Sequence, residues 1–179
     1  MASHLIDSQV YKESWSTEEM RQVWADTAMI GRWLEVEIAL AEAEAELGVI
    51  PDQAASEIRK KARVELLDFN YISAEFARTG HSIMPILRNV QRLCDDGWGE
   101  YIHYGATTQD ITDTGMMLGI KASYAIILRD LSGIEETLME LAERHMSTVM
   151  PGRTHGQHAL PATFGFKAAV WLREVSRNI

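Results

Sequence analysis

The sequence predicts an all-α fold, an N-terminal helical domain followed by the long helices of a central helical bundle, which the chain leaves truncated. Three observations carry this. Apolar residues recur at spacings of three and four through most of the chain, and no strand-period run of any length competes with them. The stretch from Thr108 to Met150, about forty residues, contains no proline and reads as one helix. Residues 1–105 form the expected N-terminal domain, and residues 106–179 the first part of the bundle domain.

Residues 1–15 lack periodicity and read as an arm. Ser16 and Glu19 have the spacing of a capping box. From Glu18, the positions Met20, Val23, Trp24, Ala28, Trp33, Leu34, Ile38, Ala41 and Leu47 predict a single amphipathic helix that stops at Gly48, with Pro51 beyond. Asp52 can cap a second helix to about Val64, rich in charge and expected to face solvent. Phe69 to Arg78 predicts a third, closed by Gly80. Pro85 suits the first turn of a fourth, which runs to about Cys94 with Ile86, Leu87, Val90 and Leu93 on one side. Asp95-Asp96-Gly97-Trp98-Gly99 then breaks the chain.

Thr107 and Asp110 repeat the capping-box spacing at the start of the long run, whose apolar residues include Ile111, Leu118, Ala122, Ile126, Leu131 and Leu138. At about 1.5 Å per residue a forty-residue helix spans roughly 60 Å, more than a globule of this size can cover. Much of its apolar surface is therefore expected to find partners outside the chain. Pro151-Gly152 is expected to end this helix, and Pro161 to open another that is still in apolar stride at Trp171 and Val175. Nothing after that reads as a C-terminal cap, so the chain is expected to be the N-terminal portion of a longer protein.

The net charge of −9 and the scarcity of Lys/Arg clusters argue against a nucleic-acid or anionic-membrane partner, since either needs a concentrated positive field. No stretch approaches the roughly 18 apolar residues of a membrane span. Cys94 is the single cysteine, so no internal disulfide forms, and with no apolar leader the expected compartment is the cytoplasm. His155 and His158 are three apart, but no third ligand has convincing spacing, and no Gly-rich phosphate loop follows a strand. Neither a metal nor a cofactor is expected, and Ser/His/Asp nucleophilic chemistry has no support.

Three histidines stand at chain breaks: His81 after Gly80, His103 before Tyr104-Gly105, and His155 within Arg153-Thr154-His155-Gly156. Loops at helix ends present functional side chains, and a neutral imidazole exchanges a proton near neutral pH. Each could equally cap a helix or bond a neighbouring turn. Thr107-Thr108-Gln109-Asp110 sets two hydroxyls and several N–H groups at the positive end of a helix dipole, which suits a carboxylate or phosphate. Plain N-capping by Thr107 accounts for the same spacing.

Two segments, His103-Tyr-Gly-Ala-Thr-Thr-Gln-Asp-Ile-Thr-Asp-Thr114 and Gly152-Arg-Thr-His-Gly-Gln-His-Ala159, followed by Pro161 and Thr163-Phe-Gly165, resemble the fumarase/aspartase superfamily. Within it they resemble the branch of adenylosuccinate lyase and 3-carboxy-cis,cis-muconate cycloisomerase. The resemblance spans essentially the whole chain. It implies an adenylosuccinate-type C–N lyase of purine biosynthesis that releases fumarate from an N-substituted aspartate, inactive as this 179-residue chain alone. A carboxymuconate cycloisomerase and a non-catalytic oligomerising fragment are the alternatives.

The resemblance also implies residue roles. His155 falls on the general acid that protonates the leaving nitrogen, and His81 on a histidine that assists it. His103 falls on a substrate-binding histidine, and Thr107 and Thr108 on hydroxyls that hold the fumaryl carboxylates. Tyr104, Gln109, Asp110, Arg153, Thr154 and Gln157 complete the implied substrate-binding set. The family's base is a serine carried by a later Gly-Ser-Ser signature, absent here, and each site is built from different subunits of a homotetramer. Adenylosuccinate lyases usually carry an Arg-Tyr pair before the first long helix, where this chain has Ser14-Trp15. Cycloisomerases often have a bulky apolar residue where His155 stands, so His155 favours elimination.

Overall fold

The computed structural model describes residues 4–179, which form seven α-helices and one two-stranded hairpin. In chain order these are α1 (Glu18–Val23), α2 (Asp26–Glu46), α3 (Asp52–Lys61), α4 (Phe69–Thr79), α5 (Met84–Leu93), α6 (Thr108–Arg144), β1 (Val149–Thr154), β2 (Gln157–Thr163) and α7 (Phe164–Ser176). The fold is all-α with this small antiparallel exception. Two compact units divide the chain, Met1–Ala122 and Ser123–Ile179.

The core of the first unit gathers along one row of α2. Ile30, Leu34, Glu37 and Ala41 follow the three-and-four spacing of a helix face, and all are buried. Against them lie Ala54, Ala55 and Ile58 of α3, Ile72 of α4, and Ile86, Leu87 and Val90 of α5. Asp68 caps α4 by accepting from the N–H groups of Asn70 and Tyr71 at 3.0 and 3.1 Å, and Gly80 closes it at φ +68°. The first turns of α6 join through Ile111 and through two glycines four apart. A Cβ on Gly115 would meet Trp33 Cδ1 at 2.5 Å, and one on Gly119 would meet Arg32 and Trp24 at 3.1 Å.

Four expectations change here. The single helix from Glu18 to Leu47 is two, because the backbone leaves the helical region at Trp24 and Ala25. Thr17, not Ser16, caps α1 by accepting from the Met20 N–H at 3.2 Å. Ser16 is taken by Arg21, whose guanidinium also donates to Glu13 and Glu18 at 2.7 Å and to the Ser16 carbonyl at 2.8 Å. That clamp ties the chain at residues 12–16 to α1, after the short 3-10 turns Leu5–Asp7 and Lys12–Ser14. The charged second helix, α3, ends at Lys61, and its Ala54, Ala55 and Ile58 enter the core while its charged face meets solvent.

In the second unit α6 stops at Arg144 rather than Met150, and the expected helix from Pro161 begins only at Phe164, capped by the Thr163 hydroxyl. Between them runs the hairpin, in which Val149 pairs with Thr163, Pro151 with Pro161 and Arg153 with His158, with a register shift between Pro151 and Arg153. A two-stranded ribbon has two free edges and this one a bulge, so its prolines displace no ladder partner. Helix α7 then lies against the end of α6: a Cβ on Gly165 would meet the Ala142 carbonyl oxygen at 2.6 Å, and Ser176 donates to Glu135 at 2.6 Å. Along α6, Met116, Met117, Ile120, Tyr124, Ile127 and Ile134 remain exposed.

Ile58 has no solvent exposure. Ile58→Ala is expected to lower the unfolding free energy by about 2–5 kcal/mol through lost burial and the cavity left behind, read from urea denaturation.

Candidate functional site

The His103 loop is built against α2. Ile102 is buried and anchors the segment, after which His103 and Gly105 both adopt left-handed backbone, at φ +63° and +72°. This geometry is easy for glycine and unfavourable for histidine. It brings the ring, whose side chain is 15% exposed, to Glu37, with Nδ1 2.6 Å from Oε1. Glu37 is 1% exposed, and its second oxygen is buried without a hydrogen-bond partner. Glu44, two turns along α2, also has a buried unpartnered oxygen, and its other oxygen lies 3.8 Å from where a Cβ on Gly105 would stand. Burial pushes the Glu37 carboxyl above the ordinary range, against the pull of its bond with His103, and burial likewise raises Glu44.

His81 follows left-handed Gly80. Its N–H donates to the Thr79 hydroxyl at 3.3 Å, and its ring Nδ1 accepts from the Met84 N–H at 3.3 Å, at the start of α5. The helix-capping use is thus realised. A neutral ring that accepts at Nδ1 carries its proton on Nε2, and the residue is exposed. At the start of α6 the Thr107 N–H donates to Asp110 Oδ2 at 3.0 Å, one arm of a capping box. That carboxylate sits in the first turn, at the positive end of the helix dipole. The Thr112 hydroxyl donates to the Thr108 carbonyl at 3.1 Å, Gln109 Nε2 donates to Asp113 at 2.5 Å, and Tyr104 is half exposed.

In the second unit the candidates share the hairpin. His155 and Gly156 form its two-residue loop, both at positive φ, +51° and +73°, as a type I′ turn requires. Thr154 pairs with Gln157 and Arg153 with His158, so each pair shares a face, and all five, with His155 between them, are exposed. Beside the hairpin base runs an open groove of about 320 Å³ lined by Met150, Arg153, Phe166, Lys167 and Trp171 among others, with the Lys167 ammonium 5.1 Å from the Trp171 ring.

The structure therefore groups His103 with Glu37 and Glu44, and Arg153, Thr154, His155, Gln157 and His158 with one another. Reading the sequence for motifs misses both glutamates. Their signal is present, because Glu37 and Glu44 extend the row Leu34–Glu37–Ala41–Glu44, in which an apolar residue is expected at each step. Among the described residues no three His, Cys, Asp or Glu side chains converge to hold a metal ion, and no helix is long and apolar enough to cross a membrane.

Residues 10–179 match the family described as Lyase. The chain belongs to this lyase family. Over all 179 residues it is 47% identical to an N-acetyl-S-(2-succino)cysteine lyase of Dickeya dadantii and 42% identical to an adenylosuccinate lyase of Methanocaldococcus jannaschii. It covers 39% and 38% of those two proteins, so it spans well under half the length of the curated relatives it matches. The solved β-carboxy-cis,cis-muconate cycloisomerase of Acinetobacter calcoaceticus sp. ADP1 superposes with a TM-score of 0.90 at 32% identity, over 94% of this chain and 40% of that one. These relatives place the chain in the fumarase/aspartase superfamily to which its two motifs point.

With the Glu37 carboxyl raised above its ordinary 4.5, the folded chain keeps a proton that the unfolded chain releases as pH climbs past that value. The Glu37 contribution to stability therefore falls as pH rises from about 4.5 until the folded carboxyl has ionised. Urea denaturation over a pH series is expected to show the stability of wild type relative to Glu37→Gln shrinking through that window. A flat difference would mean that Glu37 binds its proton as an exposed carboxyl does.

Proposed function

We propose that the full-length protein is a lyase that releases fumarate by β-elimination from a succinyl group carried on nitrogen or sulfur. The observation that carries this reading is His155 at the tip of a left-handed two-residue turn, within a motif shared with a lyase family to which the chain belongs. The turn projects the imidazole from the ribbon, where it can meet a ligand.

Elimination needs donors for a dianionic aci-carboxylate and an acid for the departing heteroatom. His155 is the acid in this reading and His81 assists it through Nε2. His103, with the Thr107 and Thr108 hydroxyls, holds the carboxylates, and Tyr104, Gln109, Asp110, Arg153, Thr154 and Gln157 line the substrate. The exposed apolar residues of α6 support assembly as a homotetramer.

Two leaving groups compete. An N-substituted aspartate, with adenylosuccinate the leading case, releases an amine; a succinyl thioether releases a thiol. Ser14-Trp15, where a nucleotide-holding Arg-Tyr pair would stand, favours the thiol, as does the 47% identity to a succinocysteine lyase. The difference is chemical. An amine does not leave without a proton, whereas a thiol, with an ordinary pKa near 8.5, leaves readily as thiolate.

Fumarate release by the full-length protein, measured separately with adenylosuccinate and with N-acetyl-S-(2-succino)cysteine, decides between them. The thioether is expected to turn over faster; activity with neither removes the proposal, and turnover of 3-carboxymuconate alone would replace it with the cycloisomerase. His155→Gln is expected to lower kcat by roughly 10²–10⁴ on a nitrogen substrate and less on the thioether, with oligomer size unchanged. An unimpaired rate on both would remove His155 from the role. Thr107→Val is expected to raise KM for fumarate in the reverse direction, and an unchanged KM would leave Thr107 with capping alone.

A further inference from the structure

We propose that Glu37 is a positioning residue: it grips His103 by Nδ1 so that Nε2 is the ring nitrogen offered to the substrate carboxylate. This rests on the fumarate-releasing reading for the identity of the ligand, though not for the pairing itself.

Two energetically unfavourable features meet at one hydrogen bond. A carboxylate lies in the middle of the apolar row of α2, 1% exposed, where an apolar residue of similar volume would be more stable. Opposite it, a histidine is held at φ +63°, a left-handed backbone uncommon in residues other than glycine. The 2.6 Å contact between Glu37 Oε1 and His103 Nδ1 is what the two have in common. Core packing does not call for it, since Ile30, Leu34 and Ala41 fill the same row without polar atoms. Oε2 of the same carboxyl is buried without a partner.

What the contact does accomplish is to fix the imidazole. A ring held at Nδ1 by a buried carboxyl has one orientation, with Nε2 pointing away from the grip, and a substrate carboxylate, which can only accept, is met there by an Nε2–H. Glu44, the other carboxyl on this face, disfavours ionisation of Glu37 and so draws the shared proton toward Glu37. A ligand that meets Nε2 then finds a ring already oriented, and less of its binding energy goes into ordering it.

The test uses Glu37→Gln and Glu37→Leu in the full-length protein, with kinetics and the ¹⁵N spectrum of the histidine rings. In wild type His103 is expected with Nε2 protonated and a single ring state, and in the leucine variant as a mixture of tautomers. KM is expected to rise about tenfold in both variants with kcat changed less than about threefold, since His103 is placed in binding and not in proton transfer. A purely structural Glu37 would lower thermal stability while leaving KM of the folded protein within about twofold of wild type, and that result overturns the proposal. So does an unprotonated Nε2 in wild type. If the leucine variant does not fold, the near-isosteric glutamine variant carries the same test. If wild type releases no fumarate from any succinyl substrate, the functional reading fails, and the tautomer comparison alone still supports or overturns the pairing.

Discussion

Ile30, Leu34, Glu37 and Ala41 form one row along α2, and three of the four gain by leaving water while the fourth loses. Around that row the first unit takes its arrangement. Ile58 from α3 and Leu87 and Val90 from α5 cover its apolar members. The His103 loop, pinned by Ile102 and turned through left-handed backbone, covers the polar one. The loop that delivers His103 also leads straight into Thr107 and the capped start of α6. Core packing and the presentation of candidate ligand groups are therefore one constraint in this unit.

The second unit solves a similar problem with a ribbon. A two-residue loop must take positive φ at both positions, so His155 and Gly156 have their backbone dictated by the hairpin. The strands set Arg153 across from His158 and Thr154 across from Gln157. The backbone positions of five polar residues are thereby set by a short element with little core of its own. Its foothold is the close contact of Gly165 with the end of α6 and the T-shaped contact of His145 with Phe164 at 5.1 Å.

Much of this could be read from the residues in order. Gly48, Gly80, Pro85 and the Asp95–Gly99 break marked helix ends that the structure retains, because these residues act through local backbone preference. The break at Trp24–Ala25 could not be read, since the apolar spacing runs through it without a glycine or proline to mark it. The hairpin escaped for a different reason: His155-Gly156 lacks the Asn-Gly or Asp-Gly signature, and prolines within both strands suggest the end of regular structure. Glu37 stood in plain view as an acidic residue in an apolar row, but its partner lies 66 positions away, and only folding joins them. The histidines were visible as residues at chain breaks, and their roles as ligand groups rest on the family motif, not on spacing.

In the proposed reaction His81, His103 and His155 serve a dicarboxylate. The most direct test is to add fumarate to ¹⁵N-labelled full-length protein and follow the ring resonances of the histidines. His81, His103 and His155 are expected to shift with a common midpoint, while His4 and His145 stay in place. If none of the three moves at saturating fumarate, or if His145 moves in their stead, the assignment of these residues to a fumarate-binding site is contradicted.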